Sequence, residues 1–255
     1  MTISSIFNDA LKYPFDNVSK WIIFGIIIII ANISYLFAMF GVTDGTVQAV
    51  ASLINFIVMF IVVGYSLAIT RDTIHGYDEL PGFDIIKNFI DGIKAAVLSF
   101  IYMIIPTIIF FILLFATGAV NAFSQAVEVS MAGGALSSDL AFNLIGSIGL
   151  TFIISLIIYI IFMLFATIAC CRLADTGSFS QGFSFSGIMD DIKRIGVGSY
   201  IVWWIVLAII IVILLLIAMF IAVIPYIGYL ISLLFISSFV YIFSARATGL
   251  IYSNN

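Results

Sequence analysis

Charge is what this sequence has least of. Of its 255 residues, 9% are Asp, Glu, Lys or Arg and 64% are hydrophobic. A soluble domain carries about 25% charged and roughly 45–50% apolar residues. A chain this poor in charge could not cover its own surface in water. Histidine occurs once, at His75, and cysteine twice, at the adjacent Cys170 and Cys171. Metal sites need clustered ligands, so none is expected. A disulfide needs Cβ atoms that face each other, so the two cysteines read as small apolar side chains at a helix end. There is no P-loop lysine pattern and no Gly-x-Ser-x-Gly elbow, which removes two common catalytic frameworks. The net charge of −4 gives no basic excess to attract nucleic acid. The chain is read as a non-enzyme without cofactors.

Long apolar runs are what it has most of. About 20 apolar residues cross roughly 30 Å of hydrocarbon. Six segments qualify: Trp21–Phe40, Val47–Ile69, Ala95–Thr117, Phe142–Cys171, Val197–Phe220 and Tyr226–Ala245. Pro106 interrupts the third and frees a backbone carbonyl one turn back. Pro225 stands at the uncharged turn between the fifth and sixth. The opening MTISSIFNDALKYPFDNVSK lacks the basic start and short apolar core of a cleavable signal, so the first segment is expected to remain. The fold class is an all-α integral membrane protein, one polytopic domain over 1–255.

Lys and Arg concentrate in cytoplasmic loops. All nine fall before segments 1, 3 and 5 or after 6: Lys12, Lys20, Arg71, Lys87, Lys94, Arg172, Lys193, Arg194 and Arg246. The alternate connectors carry only Asp44, Glu128 and Asp139. Both termini are therefore expected in the cytoplasm. Ten acids share that face with the nine bases. Without a cluster of basic residues, recruitment by anionic lipid is not expected.

The chain repeats itself. Segments 2, 4 and 6 end in LAITRDT, ACCRLADTG and SARATG, each with one rim arginine: Arg71, Arg172 and Arg246. Gly82-Phe83 and Asp91-x-x-Lys94 recur 100 positions on as Gly182-Phe183 and Asp191-x-x-Arg194, with Asp9-x-x-Lys12 a looser third copy. Phe83, Ile86, Ile90 and Ile93 have helical spacing, as do Phe185, Ile188, Met189, Ile192 and Ile195, and Ile3, Ile6, Phe7 and Leu11. These stretches are too short and polar to cross. They read as interfacial amphipathic helices with the apolar stripe in the acyl boundary. The unit is then an interfacial helix, a transmembrane hairpin and a rim arginine. Three parallel copies cover approximately 1–75, 76–176 and 177–255. Arg71, Arg172 and Arg246 are expected to bind lipid phosphates or the aspartates of a neighbouring interfacial helix, since guanidinium bonds both in bidentate fashion.

The stretch GYDELPGF, Gly76–Phe83, is punctuated by Gly76, Pro81 and Gly82 and reads as a structural turn. His75 with Asp72, Asp78 and Glu79 reads as a solvated loop group; the alternative is a general acid–base at the headgroups. No ionisable residue lies deep inside a segment, which argues against a proton relay or a voltage sensor. The milder polar groups Asn32, Asn55 and Asn143, with Gln48, read as interhelical hydrogen bonds or the lining of a cavity.

The stretch GYSLAITRDTIHGYDELPGFDIIKNFIDGIKAAVLSFIYMIIP (Gly64–Pro106) and the opening DALKYPFDNVSKW resemble a family of archaeal and bacterial multi-pass membrane proteins, domain of unknown function 4013. The resemblance is specific around Arg71, Gly76, Leu80-Pro81, Asp91-Gly92, Lys94, Tyr102 and Pro106. It implies a polytopic protein of a prokaryotic cell membrane and brings no catalytic residues. Two roles follow as expectations. One is a non-enzymatic scaffold, assembly or membrane-organising role, with membrane lipids as partners and a protein partner or a second copy left open. The other is a transporter or channel for a small neutral or lipid-like solute.

Overall fold

The computed structural model describes residues 1–254. Among them all regular structure is helical, and six helical stretches are long and apolar enough to cross a membrane: Ile3–Ile30, Gly45–Ile74, Ile85–Ala116, Ser138–Thr176, Val197–Ala222 and Ile227–Ser253. In chain order the helices are α1 Ile3–Lys12, α2 Val18–Ile30, α3 Ile33–Met39, α4 Gly45–Ile74, α5 Ile85–Ala116, α6 Ala119–Met131, α7 Ser138–Thr176, α8 Phe185–Ile195, α9 Val197–Ala222, α10 Ile227–Ile231 and α11 Ser238–Ser253. Ser232–Ser237, between α10 and α11, is π-helical.

Local chemistry sets the boundaries. Thr2 caps α1 by accepting from the Ser5 amide at 3.2 Å. Asp44 caps α4, its carboxylate accepting from the Thr46 and Val47 amides at 3.0 Å each. Asp84 and Ser184 cap α5 and α8 in the same way, each satisfying amides that a helix start leaves open. Gly76 ends α4 with φ +83°; its N–H donates to Thr73 and that of Tyr77 to Asp72. That is the paired closure of a glycine C-terminus. Gly196, at φ +91°, separates α8 from α9.

Packing divides the chain into two compact units, Met1–Leu98 with Thr167–Asn255, and Ser99–Ala166. The division falls within α5 and within α7.

In the first unit α11 packs against α4, α1, α2, α9 and α8. Its small residues let α4 approach closely. Ala245, Arg246, Ala247 and Gly249 are all buried. A Cβ on Gly249 would meet the Thr73 side chain and the Thr70 carbonyl, and Thr70 donates its hydroxyl to the Ala245 carbonyl at 3.2 Å. The α4–α5 crossing is closer still. A Cβ on Gly64 would overlap the Asn88 carbonyl, and one on Gly92 the Phe60 carbonyl. Close backbone approach through glycine is a standard route to helix association in membranes.

In the second unit hydroxyls join α5 to α7. Thr107 gives its proton to the Met103 carbonyl at 2.8 Å, so Tyr159 is the donor in the 2.8 Å contact between the two hydroxyls. Thr117 and Thr151 lie 2.7 Å apart.

The structure differs from the sequence reading in four places. The first segment is not one helix: it breaks at Ala31–Asn32 between α2 and α3, and Asn32 donates its side chain to the Ile28 carbonyl at 2.8 Å. The stretch before segment 3 is not a separate helix, because Gly92 continues the helix and α5 runs from Ile85 through Pro106 to Ala116. The connector after segment 3 contains α6. Lastly, α1 and α8 turn apolar residues into protein rather than to the acyl boundary. Ile6, Phe7 and Ala10 are buried on α1, Ile188 and Ile192 on α8. Phe7 lies parallel to Trp203 with centroids 6.3 Å apart. By contrast Ile85, Ile86 and Ile90, at the start of α5, are exposed.

Candidate functional site: a rim of arginine–aspartate pairs

All nine Lys and Arg fall within the first unit. Each of its rim arginines meets the aspartate of a different short polar stretch. Arg71, near the end of α4, donates Nη2 to Asp91 Oδ2 of α5 at 2.8 Å and Nε to the Ala174 carbonyl at 3.1 Å. Arg172, near the end of α7, donates Nη1 to Asp191 Oδ2 of α8 at 2.7 Å. Its other donors go to Gln181, Nε to the carbonyl at 3.1 Å and Nη2 to Oε1 at 2.8 Å. Arg246 of α11 donates Nε to Asp9 Oδ1 of α1 at 2.8 Å. Its Nη1 reaches the Tyr77 carbonyl and Nη2 reaches Asp78, at 2.8 and 2.9 Å. Arg246 also sits 4.4 Å from the Tyr13 ring centroid, within range of a cation–π attraction.

The pairing has a cyclic order. The arginine ending the second segment takes the aspartate preceding the third. The arginine ending the fourth takes the aspartate preceding the fifth. The arginine ending the sixth returns to the aspartate preceding the first. The i+3 bases share two of these aspartates, Lys94 on Asp91 at 3.4 Å and Arg194 on Asp191 at 3.3 Å. Asp191 also accepts from the Tyr252 hydroxyl at 3.2 Å.

Within the loop Gly76–Phe83, three carbonyls accept from three helices: Tyr77 from Arg246 of α11, Leu80 from Lys20 of α2, and Pro81 from the Tyr65 hydroxyl of α4 at 3.0 Å. The Leu80 amide donates to Asn17 at 3.2 Å, and the Leu80 side chain is fully buried. Phe83 stacks on Tyr65 with centroids 4.2 Å apart. The loop fastens α2, α4 and α11 at one level. His75 stands outside this fastening, half-exposed, with Nε2 3.5 Å from Asp175. Among the described residues no group of three or more His, Cys, Asp or Glu could hold a metal ion.

The three asparagines go to different places. Asn55 on α4 holds the first turn of α3, accepting from the Ser34 amide at 3.4 Å and donating to the Ser34 hydroxyl. Asn32 lines a cavity of about 210 Å³ with Ile28, Ala31, Met59, Val62, Leu233, Ser237 and Tyr241. Asn143 belongs to the second unit and lines a cavity of about 390 Å³ there, among Thr117, Asn121, Gln125 and Ser147.

The model of the family described as a protein of unknown function (DUF4013) matches residues 47–223, more than half of the chain. The chain belongs to the DUF4013 family. No curated protein and no solved structure matches it. In this DUF4013 chain the matched span holds Arg71 with Asp91 and Arg172 with Asp191. The Arg246–Asp9 pair lies outside it on both sides.

Sequence reasoning missed several partners. Asp78 and the Tyr77 carbonyl come to Arg246 from a distant loop, and no spacing announces that. Ser237 and Tyr241 line the Asn32 cavity from the π-helical turn and the helix after it, and that turn has no composition of its own.

Proposed function

We propose that this chain is a non-enzymatic membrane scaffold, with both termini cytoplasmic and three parallel repeats locked into a ring by its rim arginines. The observation that carries this reading is the cyclic order of the three Arg–Asp pairs. The chain's most strongly interacting charges hold its own helices together, and they stand at the ends of apolar helices where a rim would be. The nine bases confined to one set of connectors support the orientation. The exposed Ile85, Ile86 and Ile90 at the start of α5 offer an apolar surface at that rim for lipid or for a partner protein. Plain anchoring of the rim to lipid phosphate is the weaker reading, because the Arg246 side chain is only 5% exposed and its donors are already taken.

The test is reconstitution into vesicles at rising protein-to-lipid ratio, with vesicle diameter read by electron microscopy. A scaffold that organises its membrane shifts the diameter distribution as the ratio rises. An unchanged distribution at every ratio, with insertion verified, refutes the membrane-organising role. Single cysteines at Asp44 and Asp84 in a Cys170→Ala, Cys171→Ala background test the orientation: Asp44 should label only from outside, Asp84 only from inside.

A further inference from the structure

The cavity beside Asn32 is built from two irregular spans. The first apolar segment, Trp21–Phe40, breaks at Ala31–Asn32, and the sixth span passes through the π-helical turn Ser232–Ser237. Single π-helical turns are rare and gather at functional sites. Discontinuous helices at membrane depth are tolerated where they line a cavity. The two irregular spans also touch, since a Cβ on Gly25 would overlap the Leu234 carbonyl. Met59, which lines the same cavity, stands twelve residues from rim Arg71 along α4, about 18 Å at 1.5 Å per residue. That is near the middle of a roughly 30 Å hydrocarbon core.

Three neutral polar groups converge on the space. Asn32 uses its amide on the Ile28 carbonyl, which leaves its carbonyl oxygen as an acceptor. The hydroxyls of Ser237 and Tyr241 line the cavity and have no hydrogen-bond partner among the described residues. A polar group left unpaired in an apolar medium costs about 1–3 kcal/mol by protein mutational data, and the usual remedy is a neighbour, water or a ligand. The remaining lining is Ile28, Ala31, Met59, Val62 and Leu233. The volume of about 210 Å³ is far above the roughly 10–15 Å³ that one water needs. No charged residue lines the cavity, so an ion has no counter-charge there. Met59, which lines the cavity, is 42% exposed.

We infer that this cavity binds the neutral hydroxyl group of a small alcohol or of an amphiphile, with Asn32 accepting from it and Ser237 and Tyr241 bonding its oxygen. The inference goes beyond the scaffold reading and does not depend on the rim pairs.

The experiment uses the full chain in lipid nanodiscs and a long-chain alcohol carrying a diazirine next to its hydroxyl. After illumination the crosslinked residues are mapped by mass spectrometry. Crosslinks are expected at Met59 and Leu233. A Ser237→Ala, Tyr241→Phe double variant keeps the cavity open but removes both hydroxyls. It should label about tenfold less at fixed subsaturating probe, the loss expected from two modest hydrogen bonds. Competition identifies the source: 1-dodecanol alone suppressing the crosslinks indicates a lipid-borne hydroxyl, and glycerol suppressing them as well indicates a water-soluble alcohol. Crosslinks absent from Met59 and Leu233, or present there at equal yield in the double variant, overturn the proposal. A Ser237→Leu variant fills the space without touching the ring of rim charges. It should abolish the crosslinks while the protein keeps its helical circular dichroism.

Discussion

Arg246 offers a graded test, because its two carboxylate partners differ in burial. The Arg246 side chain is 5% exposed, that of Asp9 35% and that of Asp78 88%. Removing one partner of a buried ion pair costs about 3–5 kcal/mol, whereas exposed pairs contribute about 0–1 kcal/mol. Asp78→Asn should therefore cost below about 0.5 kcal/mol, since water already screens that carboxylate. Asp9→Asn should cost about 1–2 kcal/mol, below the buried-pair range because a third of its surface stays wet. Arg246→Met should cost about 2–4 kcal/mol, because Asp9 and the Tyr77 carbonyl lose their shared donor at once. Arg246→Lys keeps the charge but not the fork; one ammonium cannot hold three separated acceptors, and a loss of about 1–2 kcal/mol is expected. Equilibrium unfolding in nanodiscs, followed by tryptophan fluorescence, reads all four variants. Raised salt should weaken the Asp78 contribution before that of Asp9. Equal losses for Asp78→Asn and Asp9→Asn, or an Arg246→Lys protein as stable as the parent, would refute the assignment of Arg246 as a buried clasp.

Three further outcomes are expected. Gly64→Ala or Gly92→Ala should destabilise by about 1–3 kcal/mol, the usual overpacking cost, because each new Cβ meets a backbone carbonyl that cannot rotate away; Gly149→Ala, with open space at the Cβ position, should leave the midpoint unchanged or raised in the same thermal scan. Tyr65→Phe removes the donor to Pro81 and should cost about 1 kcal/mol, with faster amide exchange at Leu80 and no change in α9. His75→Ala should change stability by less than about 0.5 kcal/mol, as expected of an exposed pair, and an altered cellular phenotype at normal expression would reopen an acid–base role.

The membrane-crossing helices were legible because each is a run of Ile, Leu, Phe and Val longer than a soluble core tolerates. Their interruptions were not. Asn32 is one polar residue in a long apolar run, and nothing local separates an asparagine that bridges helices from one that ends a helix. The π-helical turn at Ser232–Ser237 is equally silent, since SLLFIS also suits an α-helix. Gly92 has no side chain to mark its role, yet its bare backbone lets α4 cross α5 in close contact with the Phe60 carbonyl. The helix α6 was passed over because AVNAFSQAVEVSM is too mixed for a span and too plain for a motif. At the rim, Arg71, Arg172 and Arg246 stand out by position, and Asp9, Asp91 and Asp191 by their i+3 bases. Which arginine meets which aspartate depends on how the helices close around α11, and local spacing does not encode that.

The Asp9–Arg246 clasp joins residues 237 positions apart. During synthesis α1 emerges first and α11 last. Until α11 is inserted, Asp9 lacks its guanidinium and Phe7 lacks the Phe243 ring it packs against at 6.1 Å. Helix α1 therefore stays unclasped at Asp9 until α11 arrives, and the earlier ring to meet Phe7 is Trp203 of α9. A chain halted before α11 would hold Asp9 without the guanidinium that engages it in the finished fold, so closure of the rim is the last step of assembly rather than the first.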